Sequence, residues 1–474
     1  MNMADKNKFD LIVVGAGPGG YVAAVRAAQL GMKVACVDKR PRLGGVCLNE
    51  GCIPSKALLD SSEYFHLASE EFAAHGIGIG PMRLDLATMM ARKDQVVTDL
   101  TDNVRKLLVN NKIEIIQGTA SLAGDGQLKV GPPSGKGRKK TFKAGAIMLA
   151  TGSETISLPK LTFDKNYIVD AGAALKFESV PKHLGIVGGG YIGLEIGSIW
   201  LRLGAKVTVI EMLPHVAAST DSQIGRRLER LLKKQGMAFE LKTSVTSARV
   251  KGAKVEVSME KGGKSAKASF DKLLVAVGRK PLTDGLGLKN LGVDANKETG
   301  RIVVDEKYET SVAGVYAIGD LVEGPMLAHK ASAEGVAAAE CIAGRHGEVN
   351  YDAIPSVIYT APEVASVGLT EDQAKAREIP YCVGAFPFAG TGRARCMGLT
   401  DGLVKLVVHS QTDRLLGAHI IGPRAADMIA ECVLALEFGA SSEDIARTVH
   451  GHPTFSEALQ EAALSARACS IYAS

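Results

Sequence analysis

The 474-residue chain lacks any uninterrupted apolar run near the roughly 18 residues of a membrane-spanning helix. Its start, Met1 to Asp10, is polar and carries acids, unlike a secretory or mitochondrial leader, so the expectation is a cytoplasmic protein with no membrane partner. Cysteine is scarce. Eight in 474 residues lies far below the roughly 8–10% of a disulfide scaffold, so most should be reduced and buried, and a pair with a special spacing stands out. Charge of one sign is also lacking: 56 Lys and Arg against 51 Asp and Glu leave +5, spread over the chain, which gives no electrostatic reason for a nucleic-acid partner. What the chain has is apolar material, 46% of residues with 23% charged, which excludes intrinsic disorder and supplies a sizeable core. At about 150 residues per domain, the length suggests roughly three domains. Glycine, 53 residues or about 11%, exceeds the usual 7% or so and points to tight turns and close backbone approaches.

Part of that glycine belongs to an internal repeat. Asp10 to Val14 reads as a buried parallel strand, followed by Gly15-Ala16-Gly17-Pro18-Gly19-Gly20, a small-residue helix from Tyr21 to Leu30, and a strand Lys33 to Val37 that ends in Asp38. The same grammar returns in Leu184 to Val187, Gly188-Gly189-Gly190-Tyr191-Ile192-Gly193, a helix to Leu203, and Lys206 to Ile210 ending in Glu211. The offset is constant, since 188 − 15 and 211 − 38 both equal 173. A lone GxGxxG also makes ordinary turns, but here each copy follows a strand, opens a helix and has an acid 18 positions after its last glycine, placed for a ribose. Gly15, Gly17 and Gly20, and again Gly188, Gly190 and Gly193, let a pyrophosphate approach a helix N-terminus, where N–H groups and the helix dipole favour negative charge. Asp38 and Glu211 favour unphosphorylated riboses, so one site reads as FAD and the other as NAD.

Between the copies, Leu84 to Asn110 suits one or more helices, and Pro132 to Lys140 reads as an exposed loop or hairpin whose basic run is a solvated surface. Lys251 to Lys272 alternates like an antiparallel meander, and residues 273 to 350 look like a return to the first domain. From about Tyr351, strand-like runs at 356–359, 363–369, 402–409 and 415–421 precede helical stretches 425–438 and 442–449, the pattern of a separate C-terminal α+β domain.

Two constellations carry chemistry. Cys47 and Cys52, separated by four residues, can close a small disulfide if a helix begins between or around them, and a helix N-terminus lowers a thiolate pKa. Two buried thiols or half a metal site are the alternatives, although no matching Cys/His pair lies nearby for tetrahedral zinc. The other six, Cys36, Cys341, Cys382, Cys396, Cys432 and Cys469, are scattered singly and read as small core residues or incidental surface thiols. His452 has Glu457 close by; such a pair can act as an oriented general base, and a lone histidine is more often structural.

The motifs GGVCLNEGC at Gly44 to Cys52, ATGS at Ala150 to Ser153, YAIGD at Tyr316 to Asp320, MLAHKASAEG at Met326 to Gly335 and HPTFSE at His452 to Glu457 resemble those of the flavin-dependent pyridine nucleotide-disulfide oxidoreductases, from Phe9 to Ala466. The resemblance implies an α/β fold with two Rossmann-like dinucleotide-binding domains and a C-terminal α+β dimerisation domain. Its expected divisions are 1–155 for FAD, 156–275 for NAD, 276–350 as the return to the FAD or central domain, and 351–474 for the interface. It further implies oxidation of dihydrolipoamide, carried on a lipoyl protein, to lipoamide with NAD+ through FAD, in a homodimer serving a 2-oxo acid dehydrogenase or glycine cleavage complex.

By the same resemblance Cys47 is the interchange thiol, Cys52 the thiol nearest the flavin, and His452 with Glu457 the base, reaching the disulfide of the partner subunit. Lys56 and Glu195 belong beside the flavin, Asp320 at its ribityl or pyrophosphate region, and Met326, Leu327, Ala328 and His329 along it. Gly118, Thr151, Gly152 and Ser153 are further expected FAD contacts, Tyr191 a lid over the nicotinamide face, and Val245 and Gly278 NAD contacts. One departure is Asp38, where the family commonly has the longer Glu. Among rivals of this fold, a glutathione reductase would want basic residues where this chain has Glu211, a mercuric reductase a C-terminal vicinal Cys pair where only Cys469 stands, and a transhydrogenase would lack the Cys pair. A docking subunit without turnover would not need Cys47, Cys52, His452 and Glu457 together.

Overall fold

The computed structural model describes residues 7–469. They form two compact units, one made of the residues through Leu58, Ala87–Ile156 and Gly278–Val349, the other of Leu59–Leu86, Ser157–Val277 and the residues from Asn350 onward.

In the first unit, strand Lys8–Val14 is buried throughout Leu11 to Val14, as its unbroken aliphatic run demands, and lies between two parallel neighbours, Val34–Asp38 and Lys140–Leu149. Each of those four side chains contributes about 1.5–3 kcal/mol by leaving water. Glu114–Gln117 extends the sheet beyond Val34–Asp38. On the other side Gln127–Gly131 and Thr119–Gly124 add antiparallel, while Val315–Ala317 joins the end of Lys140–Leu149 in parallel. Residues 132–139 are therefore the exposed tip of a hairpin for most of their length, as their Pro, Gly and Lys content leads one to expect.

Helix Pro18–Gln29 buries only small residues, Gly19, Gly20, Ala23, Ala24 and Ala27, and packs against helix Ala328–Ile342 as well as the sheet. A Cβ on Gly335 would stand 2.5 Å from the Gly19 carbonyl oxygen, and one on Gly19 would stand 2.9 Å from that of Ala331. The two helices touch through backbone, an approach possible only because glycine lacks a Cβ and accompanied by a helix penalty of ~1 kcal/mol per glycine. The long pattern after Leu84 is one helix, Leu86–Asn110, with Lys93, Val97, Thr101, Val104 and Leu108 on its buried stripe.

The second unit holds a parallel sheet in the order Ala238–Glu240, Lys206–Ile210, His183–Val187, Lys272–Val275, Ile168–Val169. It also holds an antiparallel sheet ordered Ser356–Ile358, Glu363–Gly368, Leu415–Gly422, Leu403–His409, Tyr381–Pro387. The expected meander exists but is displaced: its strands are Thr243–Lys251, Lys254–Lys261 and Lys264–Phe270, and Lys272 opens a strand of the parallel sheet. Thr243–Lys251 is polar and half exposed, so it offers no apolar alternation to read. Tyr381–Pro387 is a further strand that sequence reasoning passed over, because Gly384 and Pro387 read as breakers. Gly384 instead makes room for helix Glu457–Ala466, whose Ala462 carbonyl oxygen lies 2.1 Å from where a Cβ would sit.

The C-terminal segment lies in the same unit as the second nucleotide-type segment. A buried ion pair helps join them: Lys405 Nζ lies 3.0 Å from Asp221 and 2.5 Å from Glu371, with the Lys405 and Asp221 side chains each 1% exposed. Asp221 also caps helix Ser222–Lys234 by accepting the Gln223 N–H at 3.0 Å. His419, directly opposite Lys405 across the strands, donates through Nε2 to the Leu369 carbonyl at 3.0 Å, and burial holds its pKa below the usual imidazole range. Burial alone would raise the Asp221 carboxyl, yet the Lys405 ammonium, with lesser help from His419 and the Gln223 N–H, holds it below the ordinary range.

A carboxyl held below its unfolded pKa of about 3.9 stabilises the fold above that pH, and the stabilisation is lost as the pH falls through the lower folded value. Asp221→Asn should therefore cost roughly 3 kcal/mol near pH 7, with the gap from the unmodified protein narrowing below about pH 4. Urea unfolding between pH 3 and 7 measures it, and a gap that does not change with pH would show that the Asp221 charge is not responsible.

Candidate active site

The two glycine loops have the same internal geometry. Gly15 and Gly188 both have positive φ, +106° and +107°, and a Cβ on either would stand 2.3 or 2.4 Å from the carbonyl oxygen of Ala150 or Ala276. Gly20 and Gly193 are excluded in turn by the carbonyl oxygens of Gly15 and Gly188, at 1.8 and 2.3 Å. The middle glycines differ in kind. A Cβ on Gly190 would meet no atom within 4 Å, and one on Gly17 would make only an ordinary 3.8 Å contact with Gly45 Cα. Chain packing thus demands the first and third glycines of each loop, whereas open space lies beside the second, at the N-termini of helices Pro18–Gln29 and Tyr191–Arg202. That space suits a pyrophosphate.

The acids repeat as well. Asp38 accepts Ala16 N–H at 2.7 Å and Arg40 N–H at 2.8 Å. Glu211 accepts the equivalent Gly189 N–H at 2.6 Å and Leu213 N–H at 2.8 Å. Both carboxylates are thereby fixed beside their loops, and the shorter Asp38 makes the same pair of bonds as Glu211.

The cysteine segment sits on the first loop. Gly44 donates its N–H to the Ala16 carbonyl at 2.8 Å, and a Cβ on Gly45 would stand 2.7 Å from Gly17 Cα. Helix Gly45–Glu50 carries Cys47 and is braced by Asn49, whose side chain donates to the carbonyls of Leu43 and Gly45 at 3.0 and 2.8 Å. After Gly51, Cys52 opens the 15-residue helix Cys52–His66, at the end that favours an anion. The side chains of Cys47 and Cys52 share a hydrogen bond. That bond, then burial and the Cys52 charge, push the Cys47 thiol well above the usual range, while the Lys56 ammonium opposes the rise. The expected lowering at a helix N-terminus therefore does not extend to Cys47, which lies inside the preceding short helix.

Apart from Glu195, the remaining residues expected around the flavin fall in the same unit. Ser153 donates to Asp320, and Arg279 donates to Ser153 Oγ and to its carbonyl oxygen, both at 2.7 Å. Arg279, in VAVGRKP, escaped sequence reasoning because its partner is 126 residues away. Thr151 Oγ1 donates to the Leu282 carbonyl at 2.7 Å, and Gly152 has φ +73°. Gly118 N–H donates to the Asp38 carbonyl at 2.8 Å, and the Gly131 carbonyl oxygen, 2.5 Å from a Cβ there, shows that sheet packing alone requires this glycine. Met326 to His329 lead into helix Ala328–Ile342. Gly278, expected as an NAD contact, accepts Ile156 N–H in this first unit, where the chain returns from the second.

The second unit holds Tyr191, exposed at the start of its helix; Glu195, buried and accepting the Tyr359 N–H at 3.0 Å; and Val245, packed on the meander core. It also holds the candidate base. His452 Nδ1 lies 2.8 Å from Glu457 Oε1, and Glu457 Oε2 accepts Thr454 N–H at 2.9 Å, which turns the outer ring nitrogen of a 78%-exposed imidazole toward solvent. Burial alone would raise the Glu457 carboxyl, but the hydrogen bonds from His452 and Thr454 and the nearby His450 bring it below the ordinary range. His450 was not singled out from sequence. It is buried, bonded to Glu431 at 2.8 Å and to the Thr448 carbonyl, and the Glu431 bond raises its pKa.

The middle glycines supply a test that separates packing from binding. Gly193→Ala should destabilise the fold by about 1–3 kcal/mol. Gly190→Ala should shift the thermal midpoint by less than about 2 °C while weakening NAD+ binding at least tenfold, roughly 1.4 kcal/mol. Thermal melts paired with NAD+ titration distinguish the two, and equal destabilisation would refute the assignment of open space to a ligand.

Residues 9–335 match the pyridine nucleotide-disulphide oxidoreductase family, and residues 354–463 match its dimerisation domain. The mitochondrial dihydrolipoyl dehydrogenase of Pisum sativum is 46% identical over 98% of this chain and 92% of its own length, and that of Schizosaccharomyces pombe is 48% identical over 97% and 90%. A leghemoglobin reductase of Vigna unguiculata is 47% identical over 98% and 88%. Among solved structures, LpdA of Mycobacterium tuberculosis superposes with a TM-score of 0.88 at 25% identity, covering 96% of this chain and 98% of that one. These relatives overturn the cytoplasmic expectation, since the dihydrolipoyl dehydrogenases from pea, fission yeast, Caenorhabditis elegans and rat are named mitochondrial. The composition of a folded body carries no address, because compartment is read from targeting segments. No helix among the described residues is long and apolar enough to cross a membrane. With both family segments matched and the redox motifs in place, the chain belongs to the pyridine nucleotide-disulphide oxidoreductases.

Proposed function

We propose that the chain oxidises dihydrolipoamide, borne on a lipoyl-carrying protein, to lipoamide with NAD+, working as a homodimer within a 2-oxo acid dehydrogenase or glycine cleavage complex. The observation that carries the reading is the seat of the Cys47–Cys52 pair directly on the first glycine loop, in a chain nearly half identical to dihydrolipoyl dehydrogenases over almost its whole length.

In the oxidised enzyme the pair is a disulfide. His452, oriented through Nδ1 by Glu457, takes a proton from a substrate thiol at its outer nitrogen. The resulting thiolate attacks Cys47 Sγ, the Cys47–Cys52 bond breaks, and the electron pair leaves on Cys52, where Lys56 and the helix N-terminus favour the anion. The second substrate thiol then attacks the mixed disulfide, lipoamide departs, and Cys47 is left to be protonated; its raised pKa suits that outcome. Bound FAD supplies a two-electron acceptor that connects the Cys52 thiolate to NAD+. Gly15, Gly17, Gly20, Asp38, Thr151, Ser153 and Asp320 would hold FAD, while Gly188, Gly190, Gly193 and Glu211 would hold NAD. The Glu211 carboxylate would repel a 2′-phosphate and so favours NAD over NADP.

The homodimer is supported by the matched dimerisation domain and by apolar side chains that lie open on the C-terminal segment, Phe438 at 81% and Val449 at 92% exposure with Leu434 one helical turn before Phe438. In such a dimer His452 would serve the partner's disulfide.

Two experiments test the proposal. Cys47→Ser should abolish lipoamide turnover yet keep a long-wavelength absorbance from a Cys52 thiolate beside bound flavin, whereas Cys52→Ser should lose both; identical spectra would refute the unequal roles. Mixing Cys47→Ser with His452→Gln subunits, each inactive alone, should restore about a quarter of the activity, half the dimers times half their sites. A mixture that stays inactive, with mixed dimers shown by native mass spectrometry, would place the whole site within one chain.

A further inference from the structure

Helix Ala328–Ile342 carries an ion pair with no access to water. Lys330 Nζ lies 3.0 Å from Glu334 Oε1, one turn along, and both side chains are 0% exposed. Each also grips the same distant residue: Lys330 donates to the Gly319 carbonyl oxygen at 3.0 Å, and Glu334 Oε2 accepts the Gly319 N–H at 2.7 Å. Gly319 has φ +72°, a left-handed conformation that few other residues adopt, and Asp320 follows it. The opposite side of Asp320 is held by Ser153 and, behind it, Arg279. The Lys330 stem is confined as well, since a Cβ on Gly324 would stand 2.7 Å from its Cε.

The helix is seated just as tightly on its other neighbour. Gly335, next to Glu334, approaches the Gly19 carbonyl so closely that a side chain is excluded, and the carbonyl oxygen of Ala331, next to Lys330, in turn excludes a side chain from Gly19. One helix therefore fixes the first glycine loop's helix through its backbone and the Gly319 turn through its charges, although these lie 300 residues apart in sequence. A buried pair of this kind adds little net stability compared with apolar packing, so its consequence is geometric.

We infer that Lys330 and Glu334 are positioning residues for bound FAD, locking the Gly319 backbone so that the Asp320 carboxylate is presented to the flavin dinucleotide at a fixed distance from the pyrophosphate loop. The inference rests on the FAD reading. Neither residue touches the cofactor; both act through Asp320.

The test measures FAD release from purified holoenzyme by the rise in flavin fluorescence on dilution. Lys330→Met/Glu334→Gln removes both charges together. It should keep the far-UV circular dichroism of the unmodified protein and its KM for NAD+, while releasing FAD at least about tenfold faster. Asp320→Asn should also speed release, and the triple variant should be no faster than Asp320→Asn within about twofold, because residues acting through one carboxylate do not add. Glu334→Gln, which keeps shape and volume, covers the case in which the double variant does not fold, and a several-fold faster release is expected from it. Release at the unmodified rate overturns the inference, as does full multiplication of the two effects in the triple variant. An unmodified protein that purifies colourless and takes up no FAD would instead refute the FAD reading itself.

Discussion

Four carbonyl oxygens decide how the nucleotide halves are built. Those of Ala150 and Ala276 fill the positions of side chains on Gly15 and Gly188, and those of Gly15 and Gly188 do the same to Gly20 and Gly193. With no Cβ in the way, each strand hands the chain to its helix in a single tight turn, and the helix N-terminus opens onto the space beside Gly17 or Gly190. The acid at the end of the next strand then comes close enough to accept two backbone N–H bonds, in both copies alike. In the first copy the same closeness admits Gly45 onto Gly17, and with it the cysteine pair.

From that placement follows an electrostatic asymmetry between two thiols only five residues apart. Cys52 begins a long helix, whereas Cys47 is partly buried, bonded to Cys52 and resists losing its proton. A thiol of that kind needs help from outside to exchange. His452 offers an exposed ring braced by Glu457. In the proposed reaction the two would have to meet, and a dimer would allow it.

Much of this was legible in sequence because its signals are local. The two strand–glycine–helix–strand–acid units span under 30 residues each, and their strands and helices stand within a few residues of the expected places. The cysteine pair and the His452–Glu457 pair are likewise short-range. Contacts that depend on distant partners left no such trace. Arg279 reaches Ser153, Lys405 reaches Asp221, and His450 reaches Glu431 only after folding. The strand Tyr381–Pro387 was hidden by its own Gly384 and Pro387, of which Gly384 serves close packing rather than a turn. The Lys330–Glu334 pair lies within an otherwise small-residue helix, where its i,i+4 spacing resembles any solvent-facing pair until burial is known.

The hairpin tip at residues 132–139 has a practical side. Its two flanking strands are paired residue for residue, Val130 opposite Lys140, and Gly135 and Gly137 occupy left-handed conformations, Gly135 with no neighbour within 4 Å. Trypsin would find Lys136, Arg138 and Lys139 exposed there, and a cut would leave the sheet held by its own ladder. The same tip is a natural place to open the chain for a circular permutant, or to splice in a fluorescent or affinity tag.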